Sequence, residues 1–128
     1  MDQNKGFVWQ ARVERTLKAL AKNRIPAVYV PNREEAVKTV ESMLRPGDVV
    51  TCGGSMTLAE TGVMDLLKSG AYEFLDRQAM DPEEVYRKTF GADVFLMSAN
   101  AITEDGELYN VDGNGNRVAA LIFGPKRV

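Results

Sequence analysis

Among its 128 residues the chain has no histidine, one cysteine (Cys52) and one tryptophan (Trp9). A lone cysteine has no partner for an internal disulfide, and without histidine the common zinc sites and cysteine-ligated iron–sulfur clusters lack a ligand set within the chain. Any metal would have to rest on oxygen donors. No apolar run approaches the roughly 20 residues that cross a bilayer, and the opening MDQNKGFVWQ lacks the segments of a secretory signal. These absences point to the cytoplasm. Neither sign of charge dominates: 16 Lys and Arg stand against 18 Asp and Glu, for a net charge of −2. The broad basic footprint of a nucleic-acid binder is therefore missing, and only the tail GPKRV is locally basic.

What remains is ordinary material for one folded domain over residues 1–128, with 45% hydrophobic and 27% charged residues. Residues 8–23 place Trp9, Val13, Leu17, Leu20 and Ala21 at helical spacing. IPAVYV, rich in β-branched residues and bounded by prolines, reads as a strand over residues 27–30. PNREEAVKTVESML follows as a helix with Asn32 and Glu35 at the N-cap and N3 positions. Further strands are expected at 48–52 and 94–98, with a short one at YEFLD. The segment SMTLAETGVMDLLKSG reads as a helix interrupted near Gly62, and DPEEVYRKTFG as one capped by Asp81 with Pro82 at its first position. Strands alternating with helices indicate an α/β, Rossmann-like domain around a mainly parallel sheet. One hairpin, at 101–111, is added, its Asp105-Gly106 pair suiting a two-residue type I′ turn that would set Glu104 opposite Glu107. The run VAALIFGPKRV stops where an α/β chain would begin another strand, leaving a sheet edge that favours self-association into a homo-oligomer.

Two loops carry the chemistry. In TCGGSMTLAE, Gly53, Gly54 and Ser55 lie between a strand and a helix, where bare backbone N–H groups and the hydroxyls of Ser55 or Thr57 suit a phosphate or carboxylate. The alternative is a tight turn with a Thr57–Glu60 capping box. In DGNGNRVAAL, Arg117 stands near a helix start, where a cation opposes the helix dipole by about 0.3–1 kcal/mol unless an anion lies between them. Arg117 thus calls for an anion; the alternative is an exposed, solvated side chain. An unpaired Arg117 could be removed with slight gain in stability. Asp112 and Asn116 are equally suited to turn and cap chemistry, Glu104 to a wet hairpin tip or an acid–base role, and Cys52 to a small buried side chain or a nucleophile without a histidine to activate it.

The blocks GGSMTLAETG and ADVFLMSANAITEDGELYNVDGNGNRVAALIFGPKRV resemble the lactate-utilisation, or LUD-domain, proteins of the LutC and YkgG type. The resemblance implies a fold like that of ribose-5-phosphate isomerase and CoA transferases, with a C-terminal part, a further strand and an NKI-like loop, missing after GPKRV. It also implies one pocket at the sheet's carboxyl edge, in which Gly53, Gly54, Ser55 and Thr57 form the first loop. Asn100, Thr103 and Glu104 would form a wall, and Asp112, Gly113, Gly115, Asn116 and Arg117 the second loop. Implied partners are a small anionic ligand and iron–sulfur subunits that oxidise lactate to pyruvate, with this chain as an accessory subunit and no covalently bound cofactor. Two rivals are a stand-alone sugar-phosphate isomerase or acyl-CoA transferase using Glu104 or Asp112, and a non-catalytic ligand sensor.

Overall fold

Side-chain caps decide where several helices begin. In the computed structural model, which describes residues 2–128, Asp2 accepts from the Asn4 N–H at the start of α1 (Gln3–Lys22), and Asn32 accepts from the Glu35 N–H at the start of α2 (Arg33–Met43). Ser55 caps α3 (Met56–Thr61) through the Leu58 N–H, so Thr57 is not the cap. Gly62, in the left-handed region, separates α3 from α4 (Val63–Leu67), and Asp81 caps α5 (Pro82–Thr89) with Pro82 leading. The architecture is mixed α/β. No helix among the described residues is long and apolar enough to cross a membrane.

Two compact units divide the chain. The first takes the chain up to Val30 together with Ala99–Asn110. Here α1 accompanies a short antiparallel pair, β4 (Ala101–Ile102) and β5 (Leu108–Tyr109), in which Ala101 faces Tyr109 and Ile102 faces Leu108. The hairpin turn differs from the type I′ expectation. Thr103 N–H donates to the Glu107 carbonyl at 2.9 Å and Gly106 N–H to the Thr103 carbonyl at 3.1 Å, which leaves a three-residue loop with only Gly106 at positive φ. Glu107 therefore pairs with Thr103, not with Glu104. Tertiary contacts select this turn: Asn23 Nδ2 donates to the Asp105 and Gly106 carbonyls, and a Cβ on Gly106 would come within 2.5 Å of the Ala19 backbone.

Residues 27–30 form no strand. Flanking Pro26 and Pro31 hold this run extended by steric preference and supply no N–H donors, so it joins neither sheet, and Val28 and Tyr29 remain exposed.

The second unit holds Pro31–Ser98 and Val111–Val128. Its sheet is parallel throughout, in the order β2 (Glu73–Phe74), β1 (Val49–Cys52), β3 (Val94–Leu96). The tail extends it: Arg127 bridges Val94 in parallel, with Phe95 N–H donating to the Arg127 carbonyl at 2.9 Å. The basic residues of the tail are spent on carboxylates, Lys126 on Asp93 and Arg127 on Asp48, each at 2.7 Å. On one face of β1, Val50 joins Leu44, Leu58, Val63, Leu67 and Val94 in the core. On the other, Thr51 meets Thr89 of α5.

Both hydroxyls of that pair are buried and lie 3.1 Å apart, and Thr89 Oγ1 also donates to the Val85 carbonyl at 2.7 Å. With its one proton committed to Val85, Thr89 must accept from Thr51. Thr89→Val would strand a buried Thr51 donor and cost about 1–3 kcal/mol, whereas Thr51→Val removes the donor itself and costs about 1 kcal/mol. Urea unfolding of both variants checks the order; Thr51→Val as the more damaging change would reverse the assigned direction of the bond.

Candidate functional site at the carboxyl edge

Three parallel strands deliver their carboxyl ends to one edge of the sheet, the usual place for a ligand in such folds. β1 runs into Gly53-Gly54-Ser55, β2 into Leu75-Asp76-Arg77, and β3 into Met97-Ser98. Gly53 N–H continues the ladder to the Leu96 carbonyl at 3.0 Å, while the N–H groups of Gly54 and Ser55 meet no protein acceptor among the described residues. Ser55 Oγ lies 2.5 Å from Ser98 Oγ and accepts from the Leu58 N–H. Two hydroxyl protons serve one bond between the serines, so one proton of the pair is left over for a further acceptor.

Arg117 sits against this loop. It belongs to α6 (Asn116–Ile122), and its aliphatic chain covers Gly53, where a Cβ would lie 3.4 Å from Arg117 Cδ. Arg117 Nε donates to Asp112 Oδ1 at 2.8 Å, Nη1 to the Ser98 carbonyl at 2.6 Å and Nη2 to the Val111 carbonyl at 3.1 Å. Its side chain is 13% exposed and that of Asp112 9%. The anion that Arg117 calls for is met by the protein's own Asp112. The second Asp112 oxygen accepts from the Val118 N–H at 2.6 Å, supplying at N3 the cap that Gly115, at the N-cap position with φ +73°, has no side chain to provide. Burial pushes the Asp112 carboxyl up, but the Val118 N–H and the Arg117 guanidinium outweigh it and hold the group below the ordinary aspartate value. Asn116 opens α6, Gly113 has open space where a side chain would go, and Thr57 is exposed on α3.

Asn100, Thr103 and Glu104 belong to the other unit and have their own work there. Asn100 N–H donates to the Tyr109 carbonyl and Thr103 Oγ1 accepts from the Glu107 N–H. Glu104 Oε1 takes Arg12 at 3.2 Å and Arg15 at 3.1 Å, and these guanidinium groups hold its carboxyl below the usual range. Glu104 and Asp112 are thus both kept ionised, Glu104 by its two arginines and Asp112 by the Val118 N–H together with Arg117.

The residues that sequence reasoning missed are Arg77 and Ser98. A Cβ on Gly54 would collide with Arg77 Nη2, so this glycine is where the guanidinium rests. Arg77 is half-buried and has no hydrogen-bond or ion-pair partner among the described residues. Its charge is also felt at Cys52: burial pushes that thiol up, and Arg77 pulls against it ahead of the weaker influences of Asp76 and Lys68. The net direction is upward, so the thiol stays protonated at neutral pH, with Sγ 3.9 Å from Met64 Sδ. The signal for Arg77 was available as the first cation after a short strand, but it acquires meaning only once β2 is known to run parallel beside β1. Among the described residues no group of three or more acidic, cysteine or histidine side chains gathers that could hold a metal.

The Asp112–Arg117 pair reverses the expected effect of losing the arginine. Arg117→Ala leaves a nearly buried carboxylate without its counter-ion and should destabilise the fold by about 3 kcal/mol, while Asp112→Asn, which keeps a polar acceptor, should cost about 1.5–3 kcal/mol. Because the folded-state Asp112 carboxyl is depressed, its contribution is fully present above the unfolded aspartate pKa and is lost as pH falls through the folded value. Melting curves of wild type and Asp112→Asn should therefore converge in acid. A constant gap at all pH values, or a stabilised Arg117→Ala, would contradict the pairing.

No curated protein and no solved structure matches the chain. A family model does match, that of the LUD domain, over residues 13–128, which takes in both glycine loops, Arg77 and the whole parallel sheet. The chain belongs to the LUD-domain family, which is associated with lactate-utilisation proteins.

Proposed function

We propose that the chain binds a small anion, a carboxylate or a phosphate, at the carboxyl edge of its parallel sheet, as an accessory subunit of lactate oxidation working beside iron–sulfur partners. The observation that carries the reading is Arg77, a half-buried guanidinium laid on Gly54 with no ion-pair partner among the described residues. A cation withdrawn from water without a counter-ion is costly, and an incoming anion removes that cost. The Gly54 and Ser55 N–H groups and the spare proton of the Ser55–Ser98 pair are donors of the kind an oxyanion needs, on the same loop. Arg117 supports the loop from beneath through Gly53 and leaves charge recognition to Arg77. In this reading the fold is of the ribose-5-phosphate isomerase and CoA-transferase type, with the second loop, Asp112 to Arg117, as a structural wall. Lactate and pyruvate are carboxylates, the class of anion that such donors accept, which joins the site to the family's association.

Calorimetric titration with L-lactate, pyruvate and inorganic phosphate tests this. Arg77→Gln should weaken binding of whichever anion binds wild type by about ten-fold or more, the loss expected for a hydrogen bond to a charged group. Gly54→Ala should act in the same direction by displacing the guanidinium. Unaltered affinity in a folded Arg77→Gln protein, or no anion bound by wild type, would remove the basis of the reading.

A further inference from the structure

A separate cavity lies wholly within the first unit, between α1, the extended run around residue 28 and the start of the hairpin. It measures ≈ 290 Å³ and its walls are apolar, formed among others by Trp9, Val13, Leu17, Val28 and Ile102. Trp9, Val28 and Ile102 keep 49%, 66% and 56% of their surface exposed, so the cavity opens to solvent. At its rim stand Arg12 and Glu104.

The rim is not electrically neutral. Arg12 and Arg15 both reach the same carboxylate oxygen, Glu104 Oε1, so two guanidinium groups share one negative charge and one positive charge is left over. Arg12 spends only its Nε on Glu104. Its two Nη groups, the edge of the fork that binds a carboxylate in bidentate fashion, have no partner among the described residues.

We infer that this cavity is a second binding site, independent of the carboxyl edge, for a small carboxylic acid with an apolar body. The hydrocarbon would occupy the space under Trp9 and Val28, and the carboxylate would take the Nη edge of Arg12. A neutral hydrocarbon would leave the surplus charge unmet, and a phosphate or a short hydroxy acid would leave the apolar walls wet. The volume matches the small end of ligand pockets, which excludes a folded partner or a long lipid chain.

Trp9 is the only tryptophan in the chain and lines the cavity, so its fluorescence reports occupancy directly. The probe is octanoate, with octanamide as its uncharged counterpart. The expected result is a saturable change in Trp9 emission with octanoate, about ten-fold weaker with octanamide and about ten-fold weaker in Arg12→Gln, the factor that one charge-assisted hydrogen bond is worth. Ala27→Leu, at an exposed wall residue, should abolish the response by filling the cavity while leaving the melting temperature unchanged. The comparison of octanoate with octanamide on wild type needs no variant to fold. No saturable response, equal affinity for octanamide, or wild-type affinity in Arg12→Gln would each overturn the assignment.

Discussion

One nearly buried ion pair organises the carboxyl edge of the sheet. Asp112 serves two positive ends at once, the Arg117 guanidinium and the start of α6, while Arg117 ties that carboxylate to the Ser98 carbonyl and lays its aliphatic chain on Gly53. The strand end of β3, the glycine loop after β1 and α6 are therefore held in register by two side chains. Desolvating both charges is expensive, and the cost is offset only because every polar atom described on the pair finds a partner in good geometry. Removing either member would cost more than the pair adds, since the survivor would remain charged and withdrawn from water.

This pairing divides labour between two arginines that face the same loop. Arg117 is internally neutralised and acts on Gly53 from beneath; Arg77 rests on Gly54 and has no such partner. Placing a satisfied cation next to an unsatisfied one supports the loop at Gly53 without neutralising the charge at Gly54. Glu104 shows the same economy in the first unit, where one carboxylate fixes the hairpin to α1 through Arg12 and Arg15 and still leaves a surplus positive charge at the cavity rim.

Much of the fold was legible because its signals are local. Asn32, Asp81 with Pro82, and the break at Gly62 act through backbone groups a few residues away, and each appears in the structure where the pattern puts it. The apolar runs of β1 and β3 were equally clear, since a central parallel strand must be hydrophobic on both faces. IPAVYV carried a similar pattern and forms no strand, because a strand is defined by a partner and its flanking prolines provide none. The Asp105-Gly106 turn failed for a related reason: Asn23 and the backbone of α1 select the wider loop, and neither is near it in sequence.

The sequence by itself determined the class of the protein, the starts of α2 and α5, the two glycine loops and the demand for negative charge beside Arg117, while α1 begins at Gln3, ahead of the expected residue 8, and Ser55 rather than Thr57 caps α3. It could not say who meets that demand, because an ion pair is a statement about distance, and Asp112 was as plausible a ligand contact as a counter-ion. Only the tertiary structure assigned Asp112 to Arg117, set Ser98 against Ser55 and brought Arg77, more than twenty residues beyond the glycine loop in the chain, onto Gly54. Parallel pairing is the physical reason: it carries the ends of strands far apart in sequence to a common edge, where the side chains that follow them become neighbours.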